Sequence, residues 1–107
     1  MSALEITQGD YGNALTVVIE DEDLSSYTAK IYIWKTASDE TRTKVIDGKS
    51  CTVTFVTPDT HISYIPASGD FADVASGPYE GLIRLSKTGV ENRTKYFNLI
   101  VFEKEPS

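Results

Sequence analysis

Short runs in which polar and apolar residues alternate, rich in Val, Ile, Thr, Tyr and Phe, recur along this chain from one end to the other. No stretch keeps the i, i+3, i+4 spacing for the roughly ten residues that an amphipathic helix needs. Side chains of a strand point alternately to its two faces, so runs of this kind bury one face and wet the other. The pattern confines the chain to an all-β fold. The strand candidates are residues 3–8 (ALEITQ), 14–20 (ALTVVIE), 28–35 (TAKIYIWK), 42–47 (RTKVID), 50–56 (SCTVTFV), 61–66 (HISYIP), 79–86 (YEGLIRLS) and 94–103 (TKYFNLIVFE). Short strands at this spacing predict a β-sandwich or small barrel. A length of 107 residues suits one domain with one modest core, spanning 1–107 with a frayed tail at 103–107.

The gaps between runs carry turn chemistry. Gly9, Gly12 and Asn13 precede the second strand, Pro58-Asp59 follows the fifth, and Gly89 and Asn92 stand before the last. The pair Asp47-Gly48 predicts a tight hairpin joining 42–47 to 50–56. A Gly-Asp pair occurs twice, in ITQGDYG and in PASGDF. An Asp after Gly in a loop bonds nearby backbone amides, which gives Gly9, Asp10, Gly69 and Asp70 turn or cap roles. Residues 68–78 are too long for a tight turn, and FADVA predicts one helical turn capped by Asp70, a short helical crossover around residues 70–75 between two sheets.

Alternation also assigns faces. Leu15, Val17 and Ile19, Val53 and Phe55, Ile83 and Leu85, and Phe97, Leu99 and Val101 fill the space between the sheets. The third and last strands are apolar on both sides. In a sandwich of Ig-like topology they flank the seventh, so one sheet presents an outer patch of Tyr32, Trp34, Leu82, Tyr96, Ile100 and Phe102. Two readings stand: a contact surface for another protein, or a patch covered by long stems such as Lys30 and Arg84 or by the crossover.

Catalytic chemistry finds no support in the pattern. The sequence holds no G-x-S-x-G elbow, Walker loop, H-E-x-x-H run or Cys-x-x-Cys pair. His61 is the single histidine and has no motif partner. Glu20-Asp21-Glu22-Asp23 is acidic, but consecutive residues of an extended segment point in opposite directions and lack the spacing that wraps a loop round calcium. It reads as a solvated loop, and convergence of Asp10 and Asp70 on a metal is required by nothing. No metal, cofactor or small-molecule substrate is expected.

The single cysteine, Cys51, alternates with Val53 and Phe55 and reads as a small buried side chain. Sixteen acidic against ten basic residues leave a net charge of −6, with no basic stripe to neutralise phosphates, so nucleic acid is an unexpected partner. No apolar run approaches the ~18 residues that span a bilayer, and no signal peptide opens the chain, so no membrane partner is expected.

The opening ITQGDYGNALTVVIEDEDLSSYTAKIYIWK and the close ISYIPASGDFADVASGPYEGLIRLSKTGVENRTKYFNLIV resemble the Ig-like N-terminal domain of phage baseplate upper proteins of the BppU type. The shared features are a Gly-Asp-x-Gly segment, an acidic linker ending in Asp-Leu, a Pro-x-Ser-Gly-Asp-Phe corner and a Gly-x-Tyr run into the next strand. Such proteins usually continue into long trimerising or receptor-binding regions, whereas this chain stops at Ser107. The resemblance implies an Ig-like β-sandwich of seven to eight antiparallel strands. It also implies a non-catalytic virion role in tail, baseplate or neck assembly, with other tail proteins or a second copy as partners. A carbohydrate-binding or adhesion module with Trp34, Tyr32 and Tyr96 as its platform is the alternative.

Overall fold

The computed structural model describes residues 4–36, 40–72 and 74–103, with Glu91 described by its backbone alone. Seven strands form among them: β1 (Leu4–Thr7), β2 (Leu15–Ile19), β3 (Thr28–Thr36), β4 (Arg42–Val56), β5 (Asp59–Tyr64), β6 (Gly77–Lys87) and β7 (Val90–Phe102). They hydrogen-bond in the order β1-β7-β6-β3-β4-β5-β2. The long strand β4 pairs with β3 up to Cys51 and with β5 from Thr52 onward, so it crosses from one layer to the other. One layer is β2, β5 and the end of β4; the other is β1, β7, β6, β3 and the start of β4.

With β2, β3, β5, β6 and β7 as strands B, C, E, F and G, and β4 running from C′ into D, this order is that of an Ig-like sandwich. A second feature agrees. Tyr79, near the start of β6, donates its phenol hydrogen to the carbonyl of Ala75 four residues back, at 2.6 Å, which is a tyrosine corner on strand F.

The core lies between the layers, with Leu15 and Val17 of β2, Ile62 and Tyr64 of β5, Ile31 and Ile33 of β3, and the inward residues of β6 and β7, including Phe97, Leu99 and Val101. Ile19 and Val53 pack on it while only half-buried. Val53 and Phe55 lie where β4 has left the larger layer, and a lone sheet end cannot cover them fully.

Three expectations are corrected. Residues 42–47 and 50–56 are one strand, not a hairpin. β3 offers continuous pairing up to Cys51, so Gly48 takes its positive φ of 73° as an extra residue in a bulge rather than in a reversing turn. A second irregularity skips Val45. Not every pair is antiparallel, because β1 runs parallel to β7 through Leu4–Leu99 to Thr7–Phe102; its connection to β2 changes layer instead of reversing within one.

The crossover around 70–75 has no helix among its described residues. Residues 68–72 make turns, closed by Asp70 N to Ala67 O at 3.0 Å and Ala72 N to Gly69 O at 3.3 Å, while Phe71 is pulled into the core; Asp73 lies outside the described residues. Burying Phe71 and holding Gly69 at φ 98° break the run of helical dihedrals before it can propagate.

Candidate functional site

The outer face of β3, β6 and β7 brings together four of the six residues expected there. Register places Tyr32 beside Leu82 and Leu82 beside Tyr96, one cross-strand row on the face turned away from the core. The next row is Trp34, Glu80 and Asn98, and the Trp34 indole N–H donates to the Glu80 carboxylate at 2.9 Å. Tyr32, Trp34, Leu82 and Tyr96 line a cleft of about 240 Å³, closed on one side by Arg42 and Lys44 of β4 and floored by Ile33 and Ile46. Tyr96 stands 69% exposed at its rim, so an approaching surface can reach the cleft.

Ile100 and Phe102 belong to the same face but not to the cleft. They sit further along β7, Ile100 between Pro78 and Glu5, and Phe102 beside Thr7. They form a separate apolar strip toward β1, with Phe102 46% exposed.

Long cationic side chains do lie on the rings, though without sealing them. Arg42 rests over Trp34 with its guanidinium carbon 5.3 Å from the ring centre, and Arg84 over Tyr32 at 5.4 Å. Cation–π contact of this kind covers one ring face and leaves guanidinium N–H groups at the edge free to bond outward. Neither guanidinium pairs with a carboxylate among the described residues; the ion pairs there are Lys44–Asp47 at 3.5 Å and Arg93–Glu22. The crossover does not cover the patch either: Phe71 and Val74 pack on the core, and none of its described residues lines the cleft.

Arg42, Lys44 and Glu80 were not among the expected site residues. In plain alternation Arg42, Lys44 and Ile46 share a face. The irregularity at Val45 changes the parity of β4, so Arg42 and Lys44 join the aromatic face opposite Thr36 and Trp34 while Ile46 turns into the core opposite Ile33.

The Gly-Asp segments serve the framework. They lie side by side: Gly9 N donates to Phe71 O at 2.9 Å and Gly12 N to Pro66 O at 3.0 Å. The Asp70 carboxylate accepts from Ala67 N at 2.8 Å and from the Tyr64 phenol. Asp10 closes its turn through the backbone, N to Thr7 O at 3.0 Å, and its exposed carboxylate bonds nothing among the described residues. Gly9 and Gly69 both hold positive φ, 81° and 98°.

The acidic loop is tied down from several sides. Glu22 makes a two-pronged pair with Arg93, whose hydrogen bond holds its carboxyl below the usual range. Asp23 is lowered likewise by the hydroxyl and amide of Ser25. The buried Thr60 hydroxyl donates to Glu22 O at 2.6 Å and accepts from Leu24 N at 2.9 Å, anchoring the loop to β5. Among the described residues no three metal-binding side chains converge. Burial pushes the Cys51 thiol up to about 11.

These features define an all-β, Ig-like sandwich whose one outer face carries an aromatic cleft bounded by Arg42 and Lys44. No family model matches the sequence and no curated protein sequence matches it. Among solved structures it is similar to the natural killer cell receptor NKp44, described as a triggering partner in natural cytotoxicity. The identity is 17% over 94% of this chain and 99% of that one, with a TM-score of 0.33. Neither the fold nor the function rests on that likeness; the Ig-like assignment rests on strand order.

Proposed function

We propose that this domain is a non-catalytic assembly module, a phage or prophage structural protein of tail, baseplate or neck, that docks other virion proteins or a second copy through the outer face of β3, β6 and β7. The observation that carries the docking reading is the Tyr32–Leu82–Tyr96 row with Trp34 beside it, a contiguous apolar row on the outer face that is half-buried at Tyr32, Trp34 and Leu82 and open to solvent at Tyr96. The virion setting is supported by the resemblance of the turn and strand pattern to baseplate upper proteins, and on this reading the protein works in the assembled particle.

The docking test is light scattering and sedimentation of the protein alone and mixed with the products of its neighbouring reading frames. Tyr96→Glu and Ile100→Glu are expected to abolish the association seen with the parent protein. Association untouched by both substitutions overturns the docking face. Tail and capsid frames alongside support the virion setting, and their absence counts against it.

The concave shape of the cleft and its three aromatic rings favour a second reading, a carbohydrate-binding module. Binding across a glycan array that is lost in Tyr96→Ala, without any protein partner, would select it.

A further inference from the structure

We propose that the cleft recognises an extended acidic segment of a partner protein, with an apolar side chain seated among Tyr32, Trp34 and Tyr96 and a neighbouring carboxylate bound by Arg42. The inference rests on the docking reading above and adds the chemistry of the partner.

Charge points the same way. The chain as a whole carries sixteen acidic and ten basic residues, yet the cations Lys30, Arg42, Lys44 and Arg84 gather around the aromatic row of this face. On this face Asp47 is paired with Lys44, and Glu80, which keeps its charge, accepts from the Trp34 indole, so the four cations still outnumber the two carboxylates. Arg42 lines the cleft with its guanidinium over the Trp34 ring and no carboxylate partner among the described residues. A guanidinium held against a ring loses less side-chain freedom when a carboxylate arrives. Arg84, on the other side of Tyr32, adds to the positive potential.

The shape of the occupant follows from the strand beside the cleft. Between Arg42 and Cys51, β4 pairs with β3 on one side, and β5 joins only from Thr52. Among the described residues its other edge has no strand partner, although Thr43 and Val45 share a pocket with Gly69, Asp70 and Val74 of the crossover. An extended segment laid along that edge alternates its side chains, one set toward the cleft and the other toward the crossover side of the sheet. A second copy presenting the same edge would bring Arg42, Lys44 and Lys49 of both chains together, which opposes self-pairing and favours an acidic partner.

The test is selection from a displayed library of random eight-residue peptides, followed by titration of the selected peptides against the whole chain. Trp34 is the single tryptophan, so its fluorescence reports occupancy directly. The expected result is enrichment of Asp or Glu next to an aromatic or aliphatic residue, with a Kd that weakens as salt rises. Arg42→Gln should raise that Kd about tenfold, Tyr96→Ala should do likewise, and Arg93→Gln, remote from the cleft, should leave it unchanged.

Enrichment of neutral or basic peptides overturns the proposal, as does Arg42→Gln binding like the parent. If Tyr96→Ala loses binding while Arg42→Gln does not, the docking face stands and the acidic specificity fails. No selected peptide, or peptides indifferent to both substitutions, sinks this proposal, while the association measurements above judge the docking face independently. Sulfated or sialylated glycans perturbing Trp34 where no acidic peptide does would replace it with an anionic-sugar site.

Discussion

The ring of Phe97 sits directly over Gly81, its β7 neighbour in register, so that a β-carbon added at Gly81 would stand 2.1 Å from the ring's Cζ. Gly81 is buried two residues after the corner tyrosine Tyr79, and the space its missing side chain leaves is filled by an aromatic ring from the next strand. Here glycine serves close packing, not a turn.

Gly81→Ala is therefore expected to destabilise the domain by about 1–3 kcal/mol, because Phe97 must leave a position that the rest of the core holds. Urea unfolding measures it. A companion Phe97→Leu should recover part of the loss, and strictly additive losses would show that the ring is not the obstacle.

The two Gly-Asp pairs should separate in strength. Asp70→Ala strips Ala67 N and the buried Tyr64 phenol of their acceptor and should cost about 1–3 kcal/mol. Asp10→Ala should change stability by less than about 0.5 kcal/mol, since its carboxylate bonds nothing among the described residues and is exposed. Thermal melts of the two variants side by side decide it, and equal losses would contradict the structure.

Thr60→Val keeps the shape of a fully buried side chain but removes the hydroxyl that joins Glu22 O to Leu24 N. A loss of about 1–3 kcal/mol is expected, together with faster amide exchange at Leu24. Unchanged exchange there would mean that the loop is held by Arg93 and Glu22 instead.

The thiol of Cys51 should react slowly with a disulfide reagent at pH 8, where it remains protonated, and quickly once the protein is unfolded. Its folded pKa of about 11 lies above the reference of 9.0. The folded state thus keeps a proton that the unfolded state gives up, so this group lowers stability as pH rises from about 9 toward 11 and has no effect below. The Tyr64 phenol, raised by burial and by its bond to Asp70, acts in the same direction at still higher pH. Cys51→Ala should flatten the fall in stability between pH 9 and 11; an unchanged slope would place the cause elsewhere.

Strand propensity and alternation marked nearly every strand within a few residues, because a half-buried strand writes its two faces into its own sequence. Turn chemistry was less direct. Asp47-Gly48 suits a hairpin, but a partner strand long enough to pair through it turns the same glycine into a bulge. FADVA can start a helical turn, but Phe71 has more apolar area to bury in the core than one turn of helix returns.

Period two alone dictates the all-β class and the two-sided apolar strands that give the outer patch. Which residues complete that patch depends on how the strands pair. The parity of β4 depends on where β3 forces an extra residue, and that irregularity at Val45 brings Arg42 and Lys44 onto the aromatic face while it sends Ile46 into the core. A one-residue shift in pairing reverses every side chain beyond it, and only the partner strand supplies that shift.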